Sequence, residues 1–370
     1  MSAWAELERH YHDRAAAARA AGARGRKVVG LAGPAIPAEL VLASEAYPLT
    51  VTAAPSGSTP RADRYLERHL DDEVRATLEA LLAGAYAWID LLVLSRASDG
   101  HLELYYTLKE IVRLGESERI PPLHLYDLLH GRTPANRDYG RDRVRELRSR
   151  LAATTGVTAT DERLRAAVRA VNGQRAAVRR LLEARRDPEA GITGTHALVV
   201  IGAGRFLEPE VHRQLVLAYL AEERPRLDAR PRLLVVPGAP LSDLRLYTLL
   251  EGAGAVVVAE DDGWGSRSVG ADVLEEATDP LEAVFDAYFL HAPSPRVAPA
   301  AARDEWLRSE IARGGIDAVL FFIPRSDHWF GWDYPRLRAL TEAAGLPALL
   351  VRDLAPGAVA GALRDGLGRR

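Results

Sequence analysis

Two kinds of apolar segment alternate along this chain. Short, nearly unbroken runs occur at KVVGLAG (27–33), PLTVTAA (48–54), IDLLVLS (89–95) and PPLHLYDL (121–128). Their length and continuity predict strands buried on both faces. Longer segments lie between them. IPAELVLASEA, with Pro37 near its start, and RADRYLERHLDDEVRATLEALLAGAYAW (Arg61–Trp88) read as helices. An Arg-rich helical stretch runs from Asn136 to Asp187, in which Leu164, Val168, Val171, Val178 and Leu182 fall close to one stripe. DPEAGITG (Asp187–Gly194) has the Pro and Gly content of a linker. The plan then repeats, with strands at RLLVVPGAP, AVVVAEDD, DAVLFFIP and PALLVRD and helices at LSDLRLYTLLEGAG and Tyr334–Ala344. This alternation predicts an α/β fold with parallel sheets covered on both faces. We expect two doubly wound, Rossmann-like domains, residues 1–135 and 195–370, joined by a helical region and linker over 136–194. Doubly wound sheets bind ligands beyond the carboxyl ends of their strands, so a cleft between the domains at those ends is the expected site.

Composition narrows the chemistry. No apolar run approaches the ~20 residues needed to span a bilayer. The N-terminal segment is charged and amphipathic rather than a signal peptide, so a cytoplasmic protein is expected. A net charge of −3 argues against a nucleic-acid partner, which needs a basic surface. Cysteine is absent. That excludes disulfides, thiolate nucleophiles, cysteine-ligated zinc and cysteine-held iron–sulfur clusters.

Two strand exits stand out. LLVLSRASDGH places Ser98, Asp99 and His101 after one strand, and FFIPRSDHWFGWD places Ser326, Asp327, His328, Trp329 and Trp332 after another. Asp99, His101, Asp327 and His328 are the residue types of acid/base catalysis or of a carboxylate/imidazole metal site. The competing reading is that the aspartates cap helices and the histidines are solvated. VVIGAGRFLEP (199–209) lacks the third glycine and the acidic residue of a dinucleotide loop. GWGSRSVG around Ser266 is not a nucleophile elbow.

Over nearly its whole length the chain resembles the 2-hydroxyacyl-CoA dehydratase family, which includes the benzoyl-CoA reductase B and C subunits. KVVGLAGPAIPAELVLASEAYPLTV is similar to the family's opening motif: Pro37, Glu39, Leu40 and Pro48 fit, and Gly33 stands where a cysteine is expected. IDLLVLSRASDGHLELYYTLKEI resembles the strand running into Cys-Asp, with Ser98 in the cysteine's place. RLRAAVRAVNGQRAAVRRL resembles the Asn-x-x-Arg helix, and GAGAVVVAEDDGWGSRS the segment with paired acids and G-x-R. GGIDAVLFFIPRSDHWFGWDYPRLRALTEAAGLPALLV resembles the third cysteine motif, with Ser326 replacing the cysteine.

The resemblance implies an acyl-CoA ligand and a pocket built from Gly33, Pro34, Ser98, Ser326, Trp329 and Trp332. In the family the cysteines hold an iron–sulfur cluster in the interdomain cleft. An ATP-driven activator supplies one electron, which the cluster passes to an acyl-CoA thioester. Neither glycine nor an un-ionised serine replaces thiolate as a soft iron ligand, so the reductive step is not expected here. Three functions remain open. The chain is a cluster-free subunit paired with a homologous subunit or with itself. Alternatively it is an enzyme of lyase type, using Asp99, His101, Asp327 and His328 as acid/base groups or metal ligands on an acyl thioester or related acid. Or it is a non-catalytic scaffold of a biosynthetic pathway. His328 and Asp99 are the expected centre of function in the emptied pocket.

Overall fold

A computed structural model of the chain describes residues 2–53, 58–67, 70–96, 98–227, 230–238, 241–291, 299–325, 327 and 329–368. Helices α1 (Ala3–His12) and α2 (Ala16–Ala23) lead into β1 (Val28–Ala32), α3 (Ala38–Ala43) and β2 (Tyr47–Thr50). Then come α4 (Asp72–Leu82), β3 (Leu91–Ser95), α5 (Asp99–Arg113) and β4 (Leu123–Tyr126). Four helices follow without a strand: α6 (Pro134–Thr155), α7 (Asp161–Ala184), α8 (Gly194–Ala203) and α9 (Pro209–Leu220). The second half runs β5 (Arg232–Pro237), α10 (Arg245–Gly252), β6 (Val256–Glu260), α11 (Pro280–Leu290) and α12 (Ala300–Ala312). It ends with β7 (Ala318–Phe322), α13 (Tyr334–Ala343), β8 (Ala348–Val351) and α14 (Pro356–Leu367).

The strands form two four-stranded parallel sheets, ordered β2-β1-β3-β4 and β6-β5-β7-β8. The two orders are the same, so each sheet reverses its winding between its first and third strands. Every residue of β1, β3, β6 and β7 is buried, which is why these strands read as continuous apolar runs. The expected two-sheet α/β architecture is present.

One core joins the sheets. It contains Val28 and Leu92 of the first, Leu233, Val257 and Leu320 of the second, and Leu7, Tyr11 and Leu198 of the helices between. Helix α1 lies on α8 and α9: Trp4 stacks on His196 with ring centres 3.8 Å apart, and Leu7 is fully buried. Among the described residues no helix is long and apolar enough to cross a membrane.

One reading needs correction. The segment Arg61–Trp88 is not one helix, because among its described residues only a short turn at Ala62–Arg64 and α4 are helical. Gly84, at φ 84°, ends α4 with the Ala85 amide bonded to the Ala80 carbonyl, so the helix cannot run on to Trp88. VVIGAG, which lacks the full pattern of a dinucleotide loop, lies in and just beyond α8, capped at its start by the Thr193 hydroxyl. Gly202 serves close packing instead: a β-carbon there would stand 2.6 Å from Tyr11 Cε2 and 2.7 Å from Trp264 Nε1.

Candidate functional site

In a sheet of this order the crevice opens between the first and third strands, whose following loops leave toward opposite faces. At the first sheet the loop after β1 begins with Gly33 and Pro34, and the connection after β3 ends at Ser98, with Asp99 opening α5. Ser98 caps α5: its Oγ accepts the His101 amide at 3.2 Å and lies 2.8 Å from His101 Nδ1. The imidazole reaches across to β1. A β-carbon on Gly33 would stand 2.6 Å from His101 Cδ2 and 2.9 Å from Nε2, and closer still to Ser95 Oγ. Gly33 is also at φ 93°, a conformation that side chains avoid. Gly33, Ser95, Ser98 and His101 are therefore one group. Ser95 is 2% exposed, and among the described residues its hydroxyl has no hydrogen-bond partner. Asp99 is exposed in the first turn of α5, where a carboxylate favours the helix dipole.

The second sheet repeats this position with other chemistry. Asp327 follows β7, and its Oδ1 accepts the amides of Gly331 (2.9 Å) and Trp329 (3.2 Å), which ties the aromatic loop into a turn. Its Oδ2 faces Gly238, the residue after β5. Beneath the loop lies Arg303, buried, with Nε 3.3 Å from Asp261 and Nη1 3.3 Å from Asp333. Its guanidinium stacks on Phe330 and, at 5.8 Å, on Trp329. Burial lowers the pKa of Arg303, against the opposing charge of Asp261. Trp332 is 87% exposed. Ser326 and His328 lie outside the described residues.

The carboxyl ends of the two sheets meet at Arg205. Its carbonyl accepts the amide of Thr50, at the end of β2, and its guanidinium donates to the Gly263 carbonyl, after β6, while stacking on Trp264 at 4.5 Å. Arg14 adds a second link, donating to the Ser242 carbonyl at 2.9 Å. Asp262 sits at this junction, fully buried, accepting the amides of Trp264 and Leu241. Burial pushes its carboxyl up to about 7, although those two amides pull the other way.

A further polar network fixes the loop after β6. Arg175 Nη2 lies 2.9 Å from Glu39 Oε1, a fully buried carboxylate that also accepts the Tyr288 hydroxyl at 2.8 Å. Arg175 donates to the Val269 carbonyl and to Asn172 Oδ1, and Asn172 bonds both amide and carbonyl of Val273. The Glu of P-x-E-L and the Asn and Arg of N-x-x-R therefore hold each other and the loop. Sequence spacing carries no sign of this pairing, nor of the roles of Ser95, Arg205 and Arg303.

The residues do not fit an iron–sulfur cluster. The chain has no thiolate, Ser98 is engaged with His101, and position 33 has no room for a side chain. Among the described residues no three His, Asp or Glu side chains stand close enough to hold a metal ion.

A family model described as 2-hydroxyglutaryl-CoA dehydratase, D-component, matches residues 35–356. The chain is 20% identical over 330 residues to the (R)-phenyllactyl-CoA dehydratase beta subunit of Clostridium sporogenes, covering 88% of this chain and 86% of that protein. With most of its length inside the match, this chain belongs to the 2-hydroxyglutaryl-CoA dehydratase D-component family.

Proposed function

We propose that the chain is a cluster-free subunit of a 2-hydroxyacyl-CoA dehydratase-type assembly, giving an acyl-CoA pocket to a homologous, cysteine-bearing partner. The closure at Gly33 carries this reading. Simple loss of a cysteine leaves its space open, whereas here Gly33 stands at φ 93° with His101 and Ser95 against the place a side chain would take. A pocket rebuilt in this way is kept for something other than a cluster. Ser95, Ser98 and His101 offer donors and acceptors suited to a thioester carbonyl. Trp329 adds a half-exposed aromatic face on which an acyl chain or ring can lie. The relative's name, a subunit of an enzyme acting on an aromatic acyl-CoA, supports both the ligand class and the partner chain.

Two measurements test the proposal. Native mass of the chain mixed with a homologous cysteine-bearing subunit should show a heterodimer. Calorimetric titration with phenyllactyl-CoA and benzoyl-CoA should show saturable binding. A chain that neither pairs nor binds any acyl-CoA overturns the reading.

A further inference from the structure

We propose that Ser98 is an acyl-accepting nucleophile with His101 as its base, so that the emptied pocket carries out acyl transfer rather than electron transfer. The proposal rests on the acyl-thioester reading above for its substrate, but the nucleophile stands on its own geometry.

The topology is strand, serine, helix. β3 ends at Ser95, Ser98 is the cap, and α5 runs for 15 residues from Asp99. Capping needs only the bond from the His101 amide to Oγ. The contact between Oγ and Nδ1 at 2.8 Å is additional. With the amide donating to Oγ, the hydroxyl proton is directed at Nδ1, the arrangement in which an imidazole accepts it during attack. The His101 amide is taken by Oγ, whereas the amides of Asp99 and Gly100, which open α5 beside Ser98, have no intrahelical carbonyl to bond and are the kind of donor that stabilises an oxyanion. The turn differs from a strained nucleophile elbow, because Ser98 has ordinary extended backbone at φ −157°.

A second observation points to a ligand. Ser95, 2% exposed, holds a hydroxyl without a partner among the described residues, against the point where a Gly33 β-carbon would stand, and His101 Nε2 is 2.9 Å from that same point. That buried hydroxyl stands beside the His101 imidazole and against the Gly33 backbone, next to the reacting pair.

The step balances. Oγ bonds to the thioester carbonyl carbon, and the Ser98 proton passes to Nδ1. The C–S bond breaks, and the thiol leaves with that proton. Acyl-Ser98 remains. Water then adds, assisted by His101, and the C–Oγ bond breaks to give a carboxylic acid and free Ser98.

The absence of cysteine makes the test clean, because Ser98→Cys creates the molecule's single thiol. Its alkylation by iodoacetamide at pH 6.5, followed by intact mass, should be about tenfold faster than in Ser98→Cys/His101→Asn, since imidazole promotes the thiolate and asparagine does not. Asparagine keeps the backbone cap, and melting curves of both variants verify folding. Wild-type protein should also form a fluorophosphonate adduct at Ser98 that Ser98→Ala abolishes. Equal alkylation rates in the folded variants, or no adduct at Ser98, overturn the proposal. Benzoyl-CoA binding with an inert Ser98 removes the nucleophile and leaves the binding subunit. An activated Ser98 without benzoyl-CoA binding upholds the nucleophile and removes the thioester reading.

Discussion

At position 33 the backbone decides what side chain is tolerated. Gly33→Ala places a methyl group against His101 and Ser95 at φ 93°, and overpacking of this kind costs about 1–3 kcal/mol. Urea unfolding should show that loss, and His101→Ala in the same chain should recover part of it. Asp262 gives a pH signature. Its folded pKa of about 7 lies above the usual 3.8, so the fold favours the protonated acid. The stability it contributes is complete below about pH 4 and is lost as pH rises toward 7. Asp262→Asn keeps an oxygen for the two amides and does not titrate. Relative to wild type it should gain on the order of 2 kcal/mol between pH 5 and pH 8, measured by thermal melts at both values. The sequence marks Ser98 and His101 as polar residues at a strand's exit, and Gly33 only by what the family has there. The contact of His101 with both depends on how far β1 and β3 stand apart, which no local pattern records.

Among the elements, strands were legible and several helices were not. β1, β3, β6 and β7 are buried on both faces, so the chain writes them as unbroken apolar runs. Helix α8 is buried on nearly every side, which leaves no polar stripe and hence no period to read. Its glycines imitate a nucleotide loop while serving contact with Tyr11 and Trp264. The interlock of α3 and α7 was equally silent, because Glu39 and Arg175 are far apart in sequence. Removing one partner of a buried ion pair costs about 3–5 kcal/mol, since the other charge is stranded. Arg175→Met should therefore lower the urea midpoint strongly, while Glu39→Gln/Arg175→Met, with no stranded charge, should restore much of it. A double variant as unstable as the single one would show that Arg175 matters for its bonds to Val269 and Asn172 instead.

The whole molecule is two sheets of one design closed over a shared core. Leu7 and Tyr11 of α1, from the start of the chain, pack with residues of the second sheet, and Arg14 and Arg205 tie the loops at the strands' carboxyl ends. Neither half can bury its surface alone. Equilibrium unfolding should therefore be one transition, although the chain is long enough for two independent domains. Single-tryptophan variants make this measurable: one keeps Trp88, which packs on the shared core near the first sheet, and the other keeps Trp306, which packs on the second sheet's own cluster. Their urea midpoints should coincide. Arg205→Met retains the carbonyl that accepts the Thr50 amide but loses the charged bond to Gly263, a loss worth about 1.5–3 kcal/mol. Because the core remains shared, both midpoints should fall together. If only one falls, or if the wild-type midpoints differ, the halves unfold separately and the Arg205 junction does not couple them into one cooperative unit.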